Sequence, residues 1–358
     1  MCMRINDTLF EQNCFYKIIL NLNPSQETCQ LAPDLQICRI INGMWQVAGG
    51  HGQINEESAI SEMFSYHNSG LTTWDVADIY GPAEEFIGEF RRRLARKNGI
   101  EELDKMQALT KFVPNPGPMT RSIVEHHIDK SMHRMNTKSI DVVQFHWWDY
   151  EDTRYIDALH HLSNLRDEGK VRYVGLTNFD TERVEIMMDT GFKLVSNQVQ
   201  YSIVDQRPAV KLAPICQKNG IKLLTYGTLC GGFLSEKYLG KQEPTRSELY
   251  TSSLQKYKNM IDAWGGWALF QELLTILNDV AKKHGVSIAN VATRFILDKA
   301  SVAGVIIGTR LGISEHKSDN LRVFGLKLDE EDINKINYVT SRARNLYAII
   351  GDCGDEYR

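Results

Sequence analysis

The sequence has no excess of positive charge. Its 41 Lys and Arg residues face 45 Asp and Glu, which gives a formal net charge of -4 at pH 7. Proteins that bind nucleic acid or an anionic membrane through charge present a basic surface, and this near-neutral composition does not supply one. We therefore expect neither nucleic acid nor a membrane among its partners.

Cysteine motifs are also missing. The 7 cysteines are scattered, odd in number and without a Cys-x-x-Cys pair, so the sequence favours neither a disulfide framework nor a zinc site. The pairs His126-His127 and His160-His161 fall in helical segments and have no carboxylate at ligand spacing. We expect no bound metal, and a reducing compartment such as the cytoplasm.

The first part of the chain carries little information. The apolar run CFYKIILNLNP is too short to span a bilayer and has no clear small-residue cleavage site. The segment is also poorer in Arg and Ser than a transit peptide. We interpret residues 1–35 as a poorly packed N-terminal extension.

From Ile37 onward, short apolar runs alternate with segments in which apolar residues have helical spacing. This alternation is typical of βα units on a parallel sheet, and a chain of 358 residues accommodates eight of them. The strand candidates are Cys38 to Asn42, Leu71 to Val76, Gln107 to Phe112, Asp141 to His146, Arg172 to Leu176, Leu194 to Gln198, Lys222 to Tyr226 and Gly304 to Ile307. We predict a (β/α)8 TIM barrel over residues 36–358. A long insertion after strand seven folds over the barrel mouth, and a C-terminal extension follows the last strand.

Polar side chains stand at the ends of three predicted strands. Asp75 and Tyr80 belong to the string DVADIY after the second strand, Lys111 lies in the third, and His146 ends the fourth. In a (β/α)8 barrel the carboxyl ends of the strands hold the active site, because the βα loops converge there. A phenol flanked by an ammonium and an imidazole can give a proton to a carbonyl oxygen.

A carbonyl that accepts hydride develops negative charge on oxygen and needs a proton donor. We assign this role to Tyr80, with Lys111 lowering the pKa of the phenol and Asp75 holding the ammonium as its ion-pair partner. His146 would orient the carbonyl or share the proton. Each residue taken singly also has an ordinary structural explanation, but their joint occurrence favours chemistry.

Several strings resemble motifs of the aldo-keto reductase superfamily, in the order that this family has them. They are DVADIYGPAEEFIG, LTKF, VVQFHWWD and GKVRYVGLTNF, with Thr177 where the family usually has Ser. The resemblance runs from about Ile37 to the C-terminus and implies an NAD(P)H-dependent (β/α)8 enzyme. NGMWQVAGGHG, FHWWDY and GDCGDEYR are closer to a branch from photosynthetic organisms, which makes the plastid an alternative location.

The resemblance also implies a cofactor, NADPH (NADP+), with NADH possible. Matching positions in the family hold the nicotinamide carboxamide, stack on its ring, cradle the pyrophosphate, and meet the adenosine half. In this chain they are Thr177, Asn178 and Gln198 for the carboxamide, Tyr226 for stacking, Gly227, Leu229 and Gly231 for the pyrophosphate, and Arg310, His316 and Asn320 for the adenosine half.

Two features bear on how the phosphates are held. No Gly-x-Gly-x-x-Gly stands at a first βα turn, so no Rossmann domain is implied. Arg310 matches the cation that meets the 2′-phosphate, and a helix predicted from about Ser314 would offer its amide groups to a phosphate. His316 stands where better-studied branches often carry Arg, which weakens the NADPH preference without reversing it.

Tryptophans are the main indication of the substrate. Trp45 follows strand one and the Trp147-Trp148 pair follows strand four, so aromatic walls are expected at the mouth. We assign Trp45 and Trp147 to substrate binding, while one of the adjacent pair must point elsewhere. The substrate is then a small carbonyl compound with apolar or ring-like parts.

Three classes of function remain open on the sequence. The first is an NADPH-dependent carbonyl reductase. The second is a cofactor-binding regulatory module with little turnover, because the resemblance extends to potassium-channel β subunits. The third, a metal-dependent lyase or hydrolase, is disfavoured because no His or carboxylate cluster stands at strand ends. The sequence does not give the oligomeric state.

Overall fold

A computed structural model describes residues 27–49 and 54–357. Eight parallel strands close into a barrel in which the last strand pairs with the first and each other strand pairs with the next in sequence. The strands are β3 (Ile40–Gly43), β4 (Thr73–Asp75), β5 (Gln107–Phe112), β6 (Ile140–His146), β7 (Val171–Thr177), β8 (Leu194–Gln200), β9 (Lys222–Tyr226) and β10 (Val302–Gly308). The predicted (β/α)8 barrel is confirmed.

Two further strands close the bottom of the barrel. β1 (Thr28–Ala32) and β2 (Leu35–Cys38) form an antiparallel hairpin directly before β3. Leu31 and Leu35 are buried in one cluster with residues at the amino ends of barrel strands. The last part of the predicted extension is therefore well packed, contrary to expectation, because its apolar side chains fill the barrel floor. Residues 1–26 lie outside the described part of the chain.

Helices follow the strands and cover the outside of the barrel. Their starts are set by local chemistry, as where the side chain of Asn55 accepts a hydrogen bond of 3.0 Å from Ser58 N at the first turn of α1. The helices are α1 (Glu56–Asn68), α2 (Ala83–Asn98), α3 (Arg121–Arg134), α4 (Tyr155–Asp167), α5 (Thr181–Asp189), α6 (Leu212–Lys218), α7 (Ser252–Trp264), α8 (Gly266–His284), α9 (Ile288–Leu297), α10 (Lys317–Asn320), α11 (Glu330–Thr340) and α12 (Leu346–Ile350).

The insertion after β9 packs on the mouth of the barrel, as predicted. A Cβ built on Gly227 would lie 2.3 Å from Oη of Tyr257, and one built on Gly231 would lie 2.8 Å from Cδ2 of the same ring. Helix α7 therefore rests directly on the loop that follows β9. Trp264 and Trp267 are buried at the end of α7 and the start of α8, and they anchor the insertion.

Candidate active site

The predicted catalytic residues meet at the carboxyl end of the barrel. Lys111 Nζ donates to Asp75 Oδ2 at 2.6 Å and to the carbonyl oxygen of Val76 at 3.2 Å. The same ammonium lies 4.8 Å from the centre of the Tyr80 ring. Lys111 and Asp75 are each only 3% exposed, so the ion pair is shielded from water.

The other oxygen of Asp75 is held by two glutamines. Gln144 Nε2 donates to Asp75 Oδ1 at 2.9 Å, and Gln198 Nε2 donates to it at 2.7 Å. Gln198 Nε2 also lies 2.7 Å from Gln144 Oε1. Sequence reasoning missed Gln144, although it precedes His146 by two residues and so faces the same side of its strand. The amide of Gln198, predicted to hold the cofactor, also contacts the predicted catalytic residue Asp75.

The pKa of Tyr80 differs from expectation. Burial raises the pKa of the phenol well above its usual value, and the negative charges of Asp75 and Asp78 raise it further. Burial likewise lowers the pKa of Lys111, although Asp75 opposes this change. The expected lowering of the Tyr80 pKa is therefore wrong for the protein alone, because burial and the charges of Asp75 and Asp78 disfavour the phenolate.

His146 is fixed by a backbone contact. Its Nδ1 lies 3.0 Å from the carbonyl oxygen of Thr177, which can only accept, so Nδ1 carries a proton. The opposite nitrogen, Nε2, then accepts a hydrogen bond when the ring is neutral and donates only when the ring is an imidazolium. His146 can orient a carbonyl oxygen as a donor only in its charged form.

The tryptophans divide differently from the prediction. Trp147 has no exposed surface, and its indole nitrogen donates to the carbonyl oxygen of Asp152 at 2.8 Å. Trp148 is 39% exposed, and its ring meets the His146 ring edge-on at 4.4 Å. The assignment of Trp147 to substrate binding is therefore wrong, since its ring turns into the core, and Trp148 is the exposed member of the pair. Trp45 is 41% exposed after β3, as a wall residue requires.

The residues predicted for the nicotinamide lie side by side. Thr177 and Gln198 are register partners on β7 and β8, and Asn178 N donates to the carbonyl oxygen of Gln198 at 2.9 Å. Tyr226 Oη, at the end of β9, donates to Asn178 Oδ1 at 2.9 Å. The hydroxyl oxygen of Thr177 is buried and has no hydrogen-bond partner among the described residues. A buried hydroxyl in this state can form a hydrogen bond with a bound ligand.

The end of the chain also reaches this group, which the sequence did not reveal. Tyr226 Oη lies 3.0 Å from Oη of Tyr357 and 3.4 Å from Oε1 of Glu356. Glu356 Oε2 accepts from Arg207 Nη2 at 3.0 Å, and Arg207 is itself buried against Asp205 at 2.8 Å. A buried ionic cluster therefore holds the terminal residues beside Tyr226.

The loop after β9 has the backbone geometry that favours glycine. Gly227 has φ +70° and Gly231 has φ +65°, so side chains at either position would strain the turn. Some amide groups are used within the loop, because Cys230 N donates to Gly227 O and Gly232 N donates to Leu229 O, both at 2.9 Å. The backbone amides of Cys230 and Gly232 therefore already donate hydrogen bonds within the loop.

The loop after β10 departs from the predicted helix. Helix α10 begins at Lys317 and has only four residues, without a side-chain cap at His316. The prediction of a helix from Ser314 is wrong, because a turn in which Ser314 N donates to Arg310 O at 3.2 Å precedes it. A single turn has little dipole to attract a phosphate. Arg310 and His316 are exposed, and Asn320 is buried at the end of α10.

Asp78 stands beside the site and allows a prediction on stability. Its side chain is 11% exposed, and burial raises its pKa from 3.8 to about 6, although Val113 N donates to it at 3.2 Å. A raised carboxyl pKa stabilises the fold below the unfolded value, and this stability is lost as pH rises through about 6. Above that pH the buried negative charge of Asp78 lowers the free energy of unfolding.

Asp78→Asn should therefore gain stability relative to wild type as pH rises. The free energy of unfolding of the variant minus that of wild type should be roughly 1 to 3 kcal/mol larger at about pH 8 than at about pH 4, because one pKa unit represents about 1.36 kcal/mol. Urea unfolding at both pH values measures it. Asp104→Asn, at an exposed position, is the control. A difference between variant and wild type that is independent of pH would contradict the raised pKa.

Two negative findings apply to the described ranges. No helix there has the length and apolar character needed to cross a bilayer. In the same ranges no three His, Cys, Asp or Glu side chains are grouped so that they can hold a metal ion.

Comparison with known proteins decides the family. Residues 39–340 match the sequence profile of the Aldo/keto reductase family. The chain belongs to this family. The match confirms the resemblance seen in the motifs and the class of enzyme, an NAD(P)H-dependent oxidoreductase. It covers the whole barrel, including all four predicted catalytic residues.

Individual relatives are distant. The chain is 27% identical to flagellar radial spoke protein 5 of Chlamydomonas reinhardtii over 62% of its length, and it spans only about half of that protein (49%). It is 25% identical to the chloroplastic pyridoxal reductase of Arabidopsis thaliana, covering 77% of this chain and 74% of the relative. These algal and plant relatives fit the predicted branch loosely.

A solved structure supports the fold. The glycerol dehydrogenase of Gluconobacter oxydans matches with a TM-score of 0.74 over 89% of this chain and 96% of that chain. At 21% identity this likeness shows the barrel and not the substrate.

Proposed function

We propose that this protein reduces an aldehyde or ketone to an alcohol, with hydride from NADPH and a proton from Tyr80. The observation that carries the proposal is the cluster at the barrel mouth. Lys111 lies 2.6 Å from Asp75 and 4.8 Å from the Tyr80 ring centre. His146 lies at the end of the next strand, and in its charged form it can donate a hydrogen bond to a carbonyl oxygen.

Each residue then has one task. Tyr80 gives its proton to the substrate oxygen as negative charge develops there. The phenol can donate despite its raised pKa, because an alkoxide is a stronger base than an ordinary phenolate. Lys111 stabilises the phenolate that forms, and Asp75, held by Gln144 and Gln198, keeps the ammonium in place.

The residues that would hold the cofactor fit a nicotinamide nucleotide. Thr177 Oγ1 is a buried hydroxyl without a partner in the described ranges, and a carboxamide can satisfy it. Asn178 and Tyr226 lie beside it, and the phenol ring of Tyr226 offers a stacking surface. When bound, the reduced cofactor supplies hydride. Trp45 and Trp148 would flank the carbonyl substrate and favour one with an aromatic or apolar part.

Names of relatives are consistent with such substrates but do not settle the nucleotide. One relative, from Pestalotiopsis microspora, is named an aryl-alcohol dehydrogenase and is 27% identical over 83% of this chain. Another, from Escherichia coli, is named an NADH-specific methylglyoxal reductase and is 21% identical over 84% of this chain. We infer that this chain prefers NADPH, because Arg310 offers a cation to the 2′-phosphate.

The preference is tested by titrating both cofactors. We expect NADPH to bind more tightly than NADH to wild type. Arg310→Ala should weaken the binding of NADPH by about 1.5 to 3 kcal/mol, the scale of a hydrogen bond to a charged group. The binding of NADH should be nearly unchanged. Fluorescence titration gives both dissociation constants, with the exposed Lys327→Ala as control. Tighter binding of NADH by wild type would contradict the assignment of Arg310.

A cofactor-binding module with little turnover is the second candidate. One observation favours it, since one relative is named a flagellar radial spoke protein. The complete catalytic cluster argues for turnover instead. A panel of aldehydes and ketones with NADPH separates the two functions, because a module would bind the cofactor tightly and consume none of it.

A further inference from the structure

The loop after β10, residues 309–317, is lined by charges of both signs. Arg310 and Lys317 are its cations, and Glu315 is its own carboxylate. A second carboxylate comes from α1, where Glu62 Oε2 accepts a hydrogen bond from the backbone amide of Gly312. The positive charge expected to attract a phosphate is therefore opposed by two negative side chains.

Helix α1 holds this loop at two neighbouring positions. Besides the contact of Glu62 with Gly312, the ammonium of Lys317 donates to the hydroxyl of Ser65. Glu62 and Ser65 are three residues apart and so lie on one face of α1. Gly312 has φ +75°, and a Cβ there would come 2.8 Å from Cβ of Ser58. The backbone of the loop thus lies directly on this helix face.

The carboxylate of Glu62 is short of hydrogen bonds. Its Oε1 is buried and has no partner among the described residues. Burial raises the pKa of the neighbouring Tyr66 hydroxyl, and the negative charges of Glu62 and Glu315 raise it further, while a hydrogen bond with the backbone of His316 lowers it. The half-buried carboxylate of Glu62 therefore places negative charge against the loop, where water screens it less than at the open surface.

We propose that Glu62 is a specificity-determining residue for the cofactor, which opposes the 2′-phosphate of NADPH and narrows the preference that Arg310 creates. The proposal rests on the proposed function, because it requires the adenosine end of the nucleotide to meet this loop. A phosphate monoester carries a charge between -1 and -2 near neutral pH and is repelled by a carboxylate. A ribose 2′-hydroxyl, as in NADH, instead donates to a carboxylate oxygen, which is how acidic side chains select NAD over NADP in nucleotide sites.

The opposing contributions predict a modest discrimination in wild type. Arg310 favours the phosphate, and Glu62 favours the free hydroxyl, so neither cofactor is excluded. A variant that removes the charge of Glu62 and keeps its shape isolates the contribution of that charge to the cofactor preference. Gln has the same size as Glu, and its amide oxygen can still accept from the amide of Gly312.

Glu62→Gln should raise the preference for NADPH over NADH roughly tenfold, a change that corresponds to about 1.4 kcal/mol. Most of the change should come from tighter binding of NADPH. Fluorescence titration of the full chain with each cofactor measures the ratio of dissociation constants. Comparing adenosine 2′,5′-bisphosphate with ADP as competitors of the cofactor tests the adenosine end alone. The variant should gain affinity only for the bisphosphate.

Glu56→Gln is the matched control, because Glu56 lies on the same helix at an exposed position. An unchanged ratio in Glu62→Gln, an equal change in both variants, or weaker NADPH binding in Glu62→Gln would overturn the inference. If the ratio responds to Arg310→Ala and not to Glu62→Gln, only this inference fails. If wild type binds neither nucleotide, the proposed function fails with it.

Discussion

Tyr80→Phe is expected to lower the turnover of a working carbonyl substrate by at least about 10²-fold, the contribution of a positioned general acid. The substitution removes the proton and keeps the ring that lies 4.8 Å from Lys111 Nζ. Affinity for NADPH should be nearly unchanged, since the phenol is assigned to the substrate oxygen. Steady-state rates and a cofactor titration on the same preparation measure both quantities.

The control is Tyr250→Phe, because Tyr250 is 74% exposed and has no proposed role in the reaction. It should turn over like wild type. Turnover by Tyr80→Phe at the wild-type rate would show that another group donates the proton. Loss of NADPH affinity together with activity would instead place Tyr80 in the cofactor site.

Lys111→Met is expected to have two large effects. Turnover should fall as in Tyr80→Phe, because no ammonium remains to stabilise the phenolate. The free energy of unfolding should also fall by about 3 to 5 kcal/mol, because Asp75 is left as a buried charge without its counter-ion. Urea unfolding and steady-state kinetics measure the two effects separately.

A double variant separates the effect on stability from the effect on chemistry. Lys111→Met combined with Asp75→Asn removes both charges, so much of the lost stability should return while turnover stays low. Gln144 and Gln198 can still donate to the side-chain oxygen of Asn. Recovery of turnover in the double variant would contradict the role of Lys111. The exposed Lys105→Met should leave both quantities unchanged.

The strand-end positions were predictable because two simple rules fix them. Short apolar runs between helical segments give the order of a parallel barrel, and the active site of such a barrel lies at the carboxyl ends of its strands. Asp75, Lys111 and His146 follow from these rules alone. Gln144 was within reach of the same reasoning, since alternate residues of a strand share a face.

Contacts between distant segments were not predictable. Trp147 and Trp148 follow the strand, where alternation ends, so sequence could not say which ring turns into the core. The contact of Glu356 with Arg207 joins residues that no local pattern links. The pKa of Tyr80 depends on the balance between burial, Asp75 and Lys111, and only the geometry shows that burial and the carboxylates dominate.

Hydride transfer to a carbonyl carbon tests the central claim most directly. The protein is mixed with NADPH deuterated at the transferable position and with an aromatic aldehyde, and the alcohol is examined by mass spectrometry. We expect one deuterium on the carbinol carbon for each cofactor oxidised, at a rate that falls at least about 10²-fold in Tyr80→Phe. Tight binding of NADPH without deuterium in the product of any aldehyde or ketone tested would contradict the proposed reductase.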